Sequence, residues 1–212
     1  MAFDEDGRKK SSGLLQTSTL PPSSLPIIPA ASALTSPCPL VQIKPITDPS
    51  HPAYTQHGLF ATRALAPSSF VVLYLGCLHY SSSSSSDPAS DYDLSLDREL
   101  DLAIDAARCG NEARFINDYR AGVRPEGPNA EFRDCWIERR VSGGSTAWER
   151  RIGVFVLSPG KAGRAGKDGG RRARGIAKGE EIVVSYGKGF WKARQCEGMG
   201  QSESKDKVKE GG

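Results

Sequence analysis

Two separated stretches, Gly110–Tyr119 and Gly179–Trp191, constrain this 212-residue chain more than any other feature. The first, Gly-Asn-Glu-Ala-Arg-Phe-Ile-Asn-Asp-Tyr, is polar and carries an Arg and two Asn. The second, Gly-Glu-Glu-Ile-Val-Val-Ser-Tyr-Gly-Lys-Gly-Phe-Trp, reads as a β-branched strand ending in Tyr-Gly and then an aromatic pair. An isolated strand has no use for an exposed aromatic end, so this strand is not expected to stand alone.

The rest of the chain frames that expectation. From about residue 40, short segments with alternating or β-branched apolar residues recur at Val41–Pro45, Gly58–Leu65, Phe70–Leu75, Tyr92–Leu96, Asp101–Asp105, Ala130–Ile137, Arg151–Leu157 and Glu180–Ser185. Turn formers separate them, among them Pro67-Ser68-Ser69, Asp87-Pro88 and Gly143-Gly144. The pattern predicts a mostly-β domain over residues 40–192, with a helical turn or two at Cys109–Ile116. Residues 1–39 are Ser/Pro-rich and predict a disordered leader, and 193–212 a disordered tail. Flexible insertions are expected near 80–90, which holds a serine run, and at 120–128 and 158–175.

Composition narrows the function class. Five cysteines are an odd number, widely spread and without a Cys-x-x-Cys pair, which predicts neither a disulfide framework nor a zinc site and points to a reducing, intracellular setting. No apolar run approaches the ~20 residues needed to cross a bilayer, so no membrane partner is expected. The net charge of +3 is too small by itself to imply nucleic acid. Its distribution is uneven: residues 159–178 hold seven basic side chains against one acid, Asp168. That segment is a solvated insertion or an electrostatic contact for nucleic acid, unspecific because no aromatic residues are interleaved to read bases.

Four segments, in order, resemble the SET-domain protein lysine methyltransferases from about Thr55 to Trp191. Gln56-His57-Gly58-Leu59-Phe60 is similar to the family's Gly-x-Gly opening, with Gln56 in place of the first glycine. Phe70–Gly76 holds a Tyr-x-Gly at Tyr74, followed by Cys77 where an acid is common. Gly110–Asp118, preceded by Asp91-Tyr92 and Asp105-Ala106, resembles Gly-Asn-x-x-Arg-Phe-x-Asn-His, with Asp118 replacing the histidine; Pro128-Asn129 matches the Pro-Asn that opens the next strand. Gly179–Trp191 is similar to the Gly-Glu-Glu-Leu…Tyr-Gly-x-x-Phe-Trp ending. The family's zinc-binding cysteine cluster has no counterpart, since only Cys196 follows.

The resemblance implies a SET-domain (β-clip) fold of several small sheets with short helices and a C-terminal pseudoknot. It implies S-adenosylmethionine as cofactor, with contacts from His57, Gly58, Tyr92, Arg114, Phe115, Asn117, Asp118 and Phe190. Tyr186 falls on the catalytic tyrosine with Tyr74 beside it. Tyr74, Val184, Tyr186 and Trp191 would line a lysine channel, in which the small Val184 favours higher methylation states. The partner implied is a protein or peptide bearing a target lysine, histone tails being the family's commonest targets, and the nucleus is the implied compartment. The alternative is a SET-like chromatin- or protein-binding module with weak or lost turnover, motivated by Asp118, Gln56, Cys77 and the missing zinc cluster. A small β nucleic-acid binder acting through 159–178 is a third reading.

Overall fold

The computed structural model describes residues 17–18, 24–84, 86–120, 123–140, 146–158, 175–187 and 190–191. In chain order the elements are β1 (Thr17–Ser18), β2 (Ile27–Ile28), a short helix α1 (Ala30–Ala33), β3 (Val41–Pro45), β4 (His57–Ala61), β5 (Phe70–Leu73), β6 (Cys77–Tyr80), β7 (Asp93–Asp97), β8 (Leu102–Asp105), a 3-10 turn (Glu112–Phe115), β9 (Asn117–Asp118), β10 (Ala130–Arg140), β11 (Thr146–Val156) and β12 (Val183–Val184). The mostly-β architecture of several small sheets and short helices is the one expected. β6 was not anticipated, and β10 and β11 extend beyond their expected ends.

The long β10–β11 hairpin is the frame. It pairs from Ala130↔Val156 to Arg140↔Thr146, and β5 adds to the free edge of β11 through Gly153↔Leu73 and Val154↔Val72. Alternation along these strands feeds two cores, as a period of two requires. Val72, Ile152, Val154 and Val156 point into the main core with Leu59, Ile116, Ile182 and Val184. Leu73, Cys135, Ile137 and Phe155 point to the opposite face.

That second face explains a departure from expectation. Residues 24–39, assigned from sequence to a disordered leader, fold back over it, with Ile28 and Ala33 buried against its side chains. Ile28 pairs in parallel with Ile137, and Pro26 O accepts the Trp136 N–H at 2.9 Å. The prolines that argued for disorder flank an outer strand of two residues, where a missing N–H costs little. The expected tail at 193–212 and most of the basic segment, residues 159–174, lie outside the described residues.

A second correction concerns the cysteines. Cys77 and Cys109 are joined in a disulfide with their Cα atoms 6.2 Å apart, while Cys38 and Cys135 are free and buried. The fold brings the partners together because β6 and β8 pair from Cys77↔Asp105 onward and the chain turns back immediately after β8. The disulfide closes the base of the three-stranded sheet β6-β8-β7. Wide spacing in sequence gave no sign of this proximity.

The C-terminal segment is threaded, as expected. β12 lies parallel to β9, Val183 opposite Asn117 and Val184 opposite Asp118. Next to it, Ile182 N donates to Leu59 O at 2.8 Å and Ala61 N to Glu180 O at 3.0 Å, fixing the entry of the segment along β4. Asn129 holds it from the third side. Its Oδ1 accepts Val183 N at 2.9 Å, and its Nδ2 donates to Glu181 O at 2.8 Å and Glu180 Oε1 at 3.2 Å.

Candidate functional site

The threading builds two adjoining chambers. The larger, about 500 Å³, is lined by residues from the 51–57 turn, the 114–120 segment and the C-terminal aromatics. The smaller, about 200 Å³, lies between Tyr74, Tyr92, Leu94, Ile116, Phe132 and Tyr186. Asp91, Tyr92, Arg114, Tyr186 and Phe190 line both, so they form the shared boundary.

Tyr186 is held there by its backbone and its hydroxyl. Asp118 Oδ2 accepts the Tyr186 N–H at 2.7 Å, and the hydroxyl donates to Ile116 O at 2.6 Å. Its ring meets Phe190 edge-on, centroids 4.9 Å apart, and Phe190 meets Trp191 at 5.5 Å. Tyr74 repeats the arrangement on the far wall of the smaller chamber, its hydroxyl donating to Tyr92 O at 2.6 Å. Burial raises both phenols well above the ordinary tyrosine range; Asp118 adds to the effect at Tyr186 and Asp105 at Tyr74. Both remain phenols at neutral pH. Because each proton is committed to a carbonyl, each oxygen offers only lone pairs to the chamber.

Arg114 is placed by local geometry. The 3-10 turn directs its guanidinium back onto Ala106 O at 2.8 Å and Ala107 O at 3.1 Å, stacked over the Tyr92 ring at 4.6 Å. Asn111, three residues earlier, pins the end of β5 by accepting Leu75 N at 3.1 Å and donating to Leu73 O at 2.8 Å. That is why the Gly-Asn-x-x-Arg order matters here: the asparagine anchors the turn and the arginine closes it.

Asp118 is a buried scaffold group. Besides Tyr186 N, it accepts Arg120 N at 2.8 Å, and the Arg120 guanidinium lies 3.4 Å from it while reaching Gly187 O and Ser185 Oγ at 3.2 Å. The carboxylate that replaces a histidine in the motif thus holds the tyrosine backbone, with a cation beside it.

Of the residues singled out from sequence, His57, Tyr92, Arg114, Phe115, Asn117, Asp118, Tyr186, Phe190 and Trp191 line the larger chamber, and Tyr74 lines the smaller. Three placements differ from those the resemblance implies. Gly58 is buried away from both chambers, and its bare Cα admits protein, since a Cβ there would sit 2.7 Å from Glu181 Oε1 and 2.9 Å from Ile46 Cδ1. Val184 is fully buried in the main core and lines neither chamber. Trp191 borders the larger chamber and not the smaller.

Several contributors escaped the sequence reading, His51 and Glu181 among them. His51 lines the larger chamber, and Glu181 stands behind it, joined to His51 Nε2 at 3.1 Å and to Asn117 Nδ2 at 2.8 Å. Glu181 was visible as part of the Gly-Glu-Glu run. His51, alone in a Pro/Ser turn, carried no signal.

Among known proteins, no family model matches the chain and no curated protein does. Solved structures of polycomb repressive complex 2 are similar to it in part. A chain of the Chaetomium thermophilum complex aligns over 70% of this chain at 21% identity with a TM-score of 0.45. A chain of an active complex in the stimulated state gives 70%, 21% and 0.44, and one of an apo ctPRC2 with two mutations in Ezh2 gives 69%, 21% and 0.45. This chain spans 15% of the length of each.

Proposed function

We propose that this chain is a SET-type enzyme that transfers methyl groups from S-adenosylmethionine to a lysine side chain of a protein substrate, for which a histone tail in the nucleus is the leading candidate. One observation carries the reading: two chambers of unequal size meet at Tyr186, whose hydroxyl proton is already committed to Ile116 O.

The larger chamber suits the cofactor. At about 500 Å³ it falls within the ~300–1,000 Å³ of small-molecule sites. It mixes aromatic walls with polar ends, and Trp191 Nε1 is a buried donor on its rim without an acceptor among the described residues. Asn117, Tyr92, Phe115, Phe190 and the Arg114 side chain would hold the ligand. When bound, the cofactor supplies an electrophilic methyl on a sulfonium.

The chain's own residues then have to deliver a neutral amine along one line and keep water out. The smaller chamber, about 200 Å³ and aromatic on several sides, suits a lysine stem. Enclosure there disfavours the ammonium form, lowering the amine pKa by desolvation. The acceptor-only oxygens of Tyr186 and Tyr74 take the amine hydrogens and turn its lone pair toward the boundary. With its pKa raised by burial, Tyr186 is a positioning group and not a base. Asp118 serves the reading as the clamp on Tyr186, and its charge is balanced by Arg120.

The experiment is a Tyr186→Phe variant assayed with radiolabelled cofactor on histones and on a lysate, beside calorimetric binding of S-adenosylmethionine. Transfer should fall by at least about a hundredfold while cofactor affinity stays within about threefold, because only a group aligned at the reacting centre is removed. Normal transfer by the variant, or no cofactor binding by the wild type, refutes the assignment.

A further inference from the structure

Behind the wall of the larger chamber lies a chain of polar groups that the proposed transfer does not itself require. His51 Nδ1 accepts the Ala53 N–H at 3.0 Å, which leaves the ring proton of the neutral imidazole on Nε2. Nε2 therefore donates to Glu181 Oε2 at 3.1 Å. The other carboxylate oxygen, Oε1, accepts Asn117 Nδ2 at 2.8 Å, and the same amide nitrogen lies 3.4 Å from His57 O. Both neighbours of Nδ2 are acceptors only, so the amide has one satisfied orientation. Its Oδ1 is the terminus left over, and among the described residues no protein donor reaches it. Gly58 belongs to the same device: a Cβ at that position would come within 2.7 Å of Glu181 Oε1 and displace the carboxylate from Asn117.

We propose that His51 and Glu181 are positioning residues that lock the Asn117 amide with its oxygen presented to the larger chamber, so that this end selects a ligand bearing a cationic amino group. The inference rests on the methyl-donor reading, since that ligand carries an ammonium at its amino-acid end. A carboxylate is the one side chain that can enforce this choice, because it has no donor to offer. Glutamine in its place can point its own NH2 at Asn117, letting the amide turn over and present two hydrogens to an ammonium. The two cationic side chains on the chamber wall do not cancel the preference. Arg114 is bonded to Ala106 O and Ala107 O, and Arg120 to Gly187 O, Ser185 Oγ and Asp118.

The test compares two probes by calorimetry on the full chain: S-adenosylhomocysteine, which has the amino group, and methylthioadenosine, which lacks the amino-acid end. In Glu181→Gln the affinity for S-adenosylhomocysteine should fall by about tenfold or more, the scale of one hydrogen bond to a charged group, while methylthioadenosine stays within about twofold. His51→Ala, outside the threaded segment, should move the same ratio in the same direction by about threefold; unchanged methylthioadenosine binding shows that both variants are folded. Equal losses for both probes, or no loss for either, overturn the inference while leaving the methyl-donor reading standing. Failure of the wild type to bind either probe overturns that reading and this inference with it.

Discussion

Truncating Asn129 to alanine strands three groups that its side chain satisfies: the Val183 N–H, the Glu181 carbonyl and one oxygen of Glu180. They are not equivalent. Val183 is fully buried and Asn129 itself is 6% exposed, so water does not readily replace the two backbone partners. A buried backbone group left without a partner costs about 1–3 kcal/mol. The Glu180 contact is long, at 3.2 Å, and its carboxylate reaches solvent, so its loss adds little. Two stranded backbone groups together with the small void give an expected loss of about 3–5 kcal/mol, a large part of the ~5–15 kcal/mol that holds an ordinary domain folded. Urea unfolding should show a lower midpoint at constant slope, the mark of a stability change without a change in the surface exposed. Asn129→Asp sharpens the test. It keeps an acceptor for Val183 N but turns the donor into a second acceptor facing Glu181 O and the Glu180 carboxylate, so it should not rescue. A loss below about 1 kcal/mol for the alanine variant, or full rescue by aspartate, refutes the view that Asn129 clamps the threaded segment.

Two other perturbations separate elements that support the site from those that form it. Removing the Cys77–Cys109 disulfide, whose partners are 32 residues apart, should cost about 3–4 kcal/mol by loop-closure entropy. Reductant should therefore lower the unfolding midpoint of the wild type but not of a Cys77→Ser/Cys109→Ser variant, and an equal response from both refutes the bond's contribution. His79 gives a pH signature: burial of the ring opposes its charge, yet the Asp93 carboxylate at 2.9 Å and the Tyr80 carbonyl at 3.1 Å outweigh it and raise the pKa. A raised folded-state value means the stabilisation is complete below the unfolded value of ~6.5 and fades as pH climbs through the folded one. The free-energy difference between wild type and His79→Ala should thus shrink from acid to alkaline pH; a pH-independent difference refutes it.

What the chain disclosed in advance followed from local chemistry. The hairpin strands, the helical turn at Glu112–Phe115 and the strand at Val183–Val184 were legible because periodicity and turn residues act over a few positions, whereas the threading was implied by the family resemblance alone. Asn117, Arg114, Tyr186 and Phe190 were legible as a set because they sit in two compact motifs. The misses all depended on long-range geometry. Ile28 and Ala33 are ordered by an apolar face of the β10–β11 sheet, more than a hundred positions later, which no local rule can anticipate. Cys77 and Cys109 meet only because β6 and β8 pair. Gly58 looked like a ligand-side glycine, and only the placed Glu181 carboxylate shows what occupies the space.

Asp118 illustrates how position can reverse the meaning of a substitution. Read in sequence, a carboxylate in place of an imidazole brings a negative charge into the pocket and takes away a ring, which argued for lost turnover. In the fold its two oxygens accept the Arg120 and Tyr186 N–H groups at 2.8 and 2.7 Å, a task for which an acceptor-only group is well matched. Its charge does not stand alone, because Arg120 lies 3.4 Å away and carries the contact on to Gly187 O, beyond the tyrosine. Tyr186 is therefore gripped from its backbone by Asp118 and from its hydroxyl by Ile116 O, the two residues flanking Asn117 in the opposite strand. The chamber boundary is set by one three-residue stretch acting on one tyrosine. An aspartate there helps to fix the hydroxyl's place by holding the backbone of the residue that carries it.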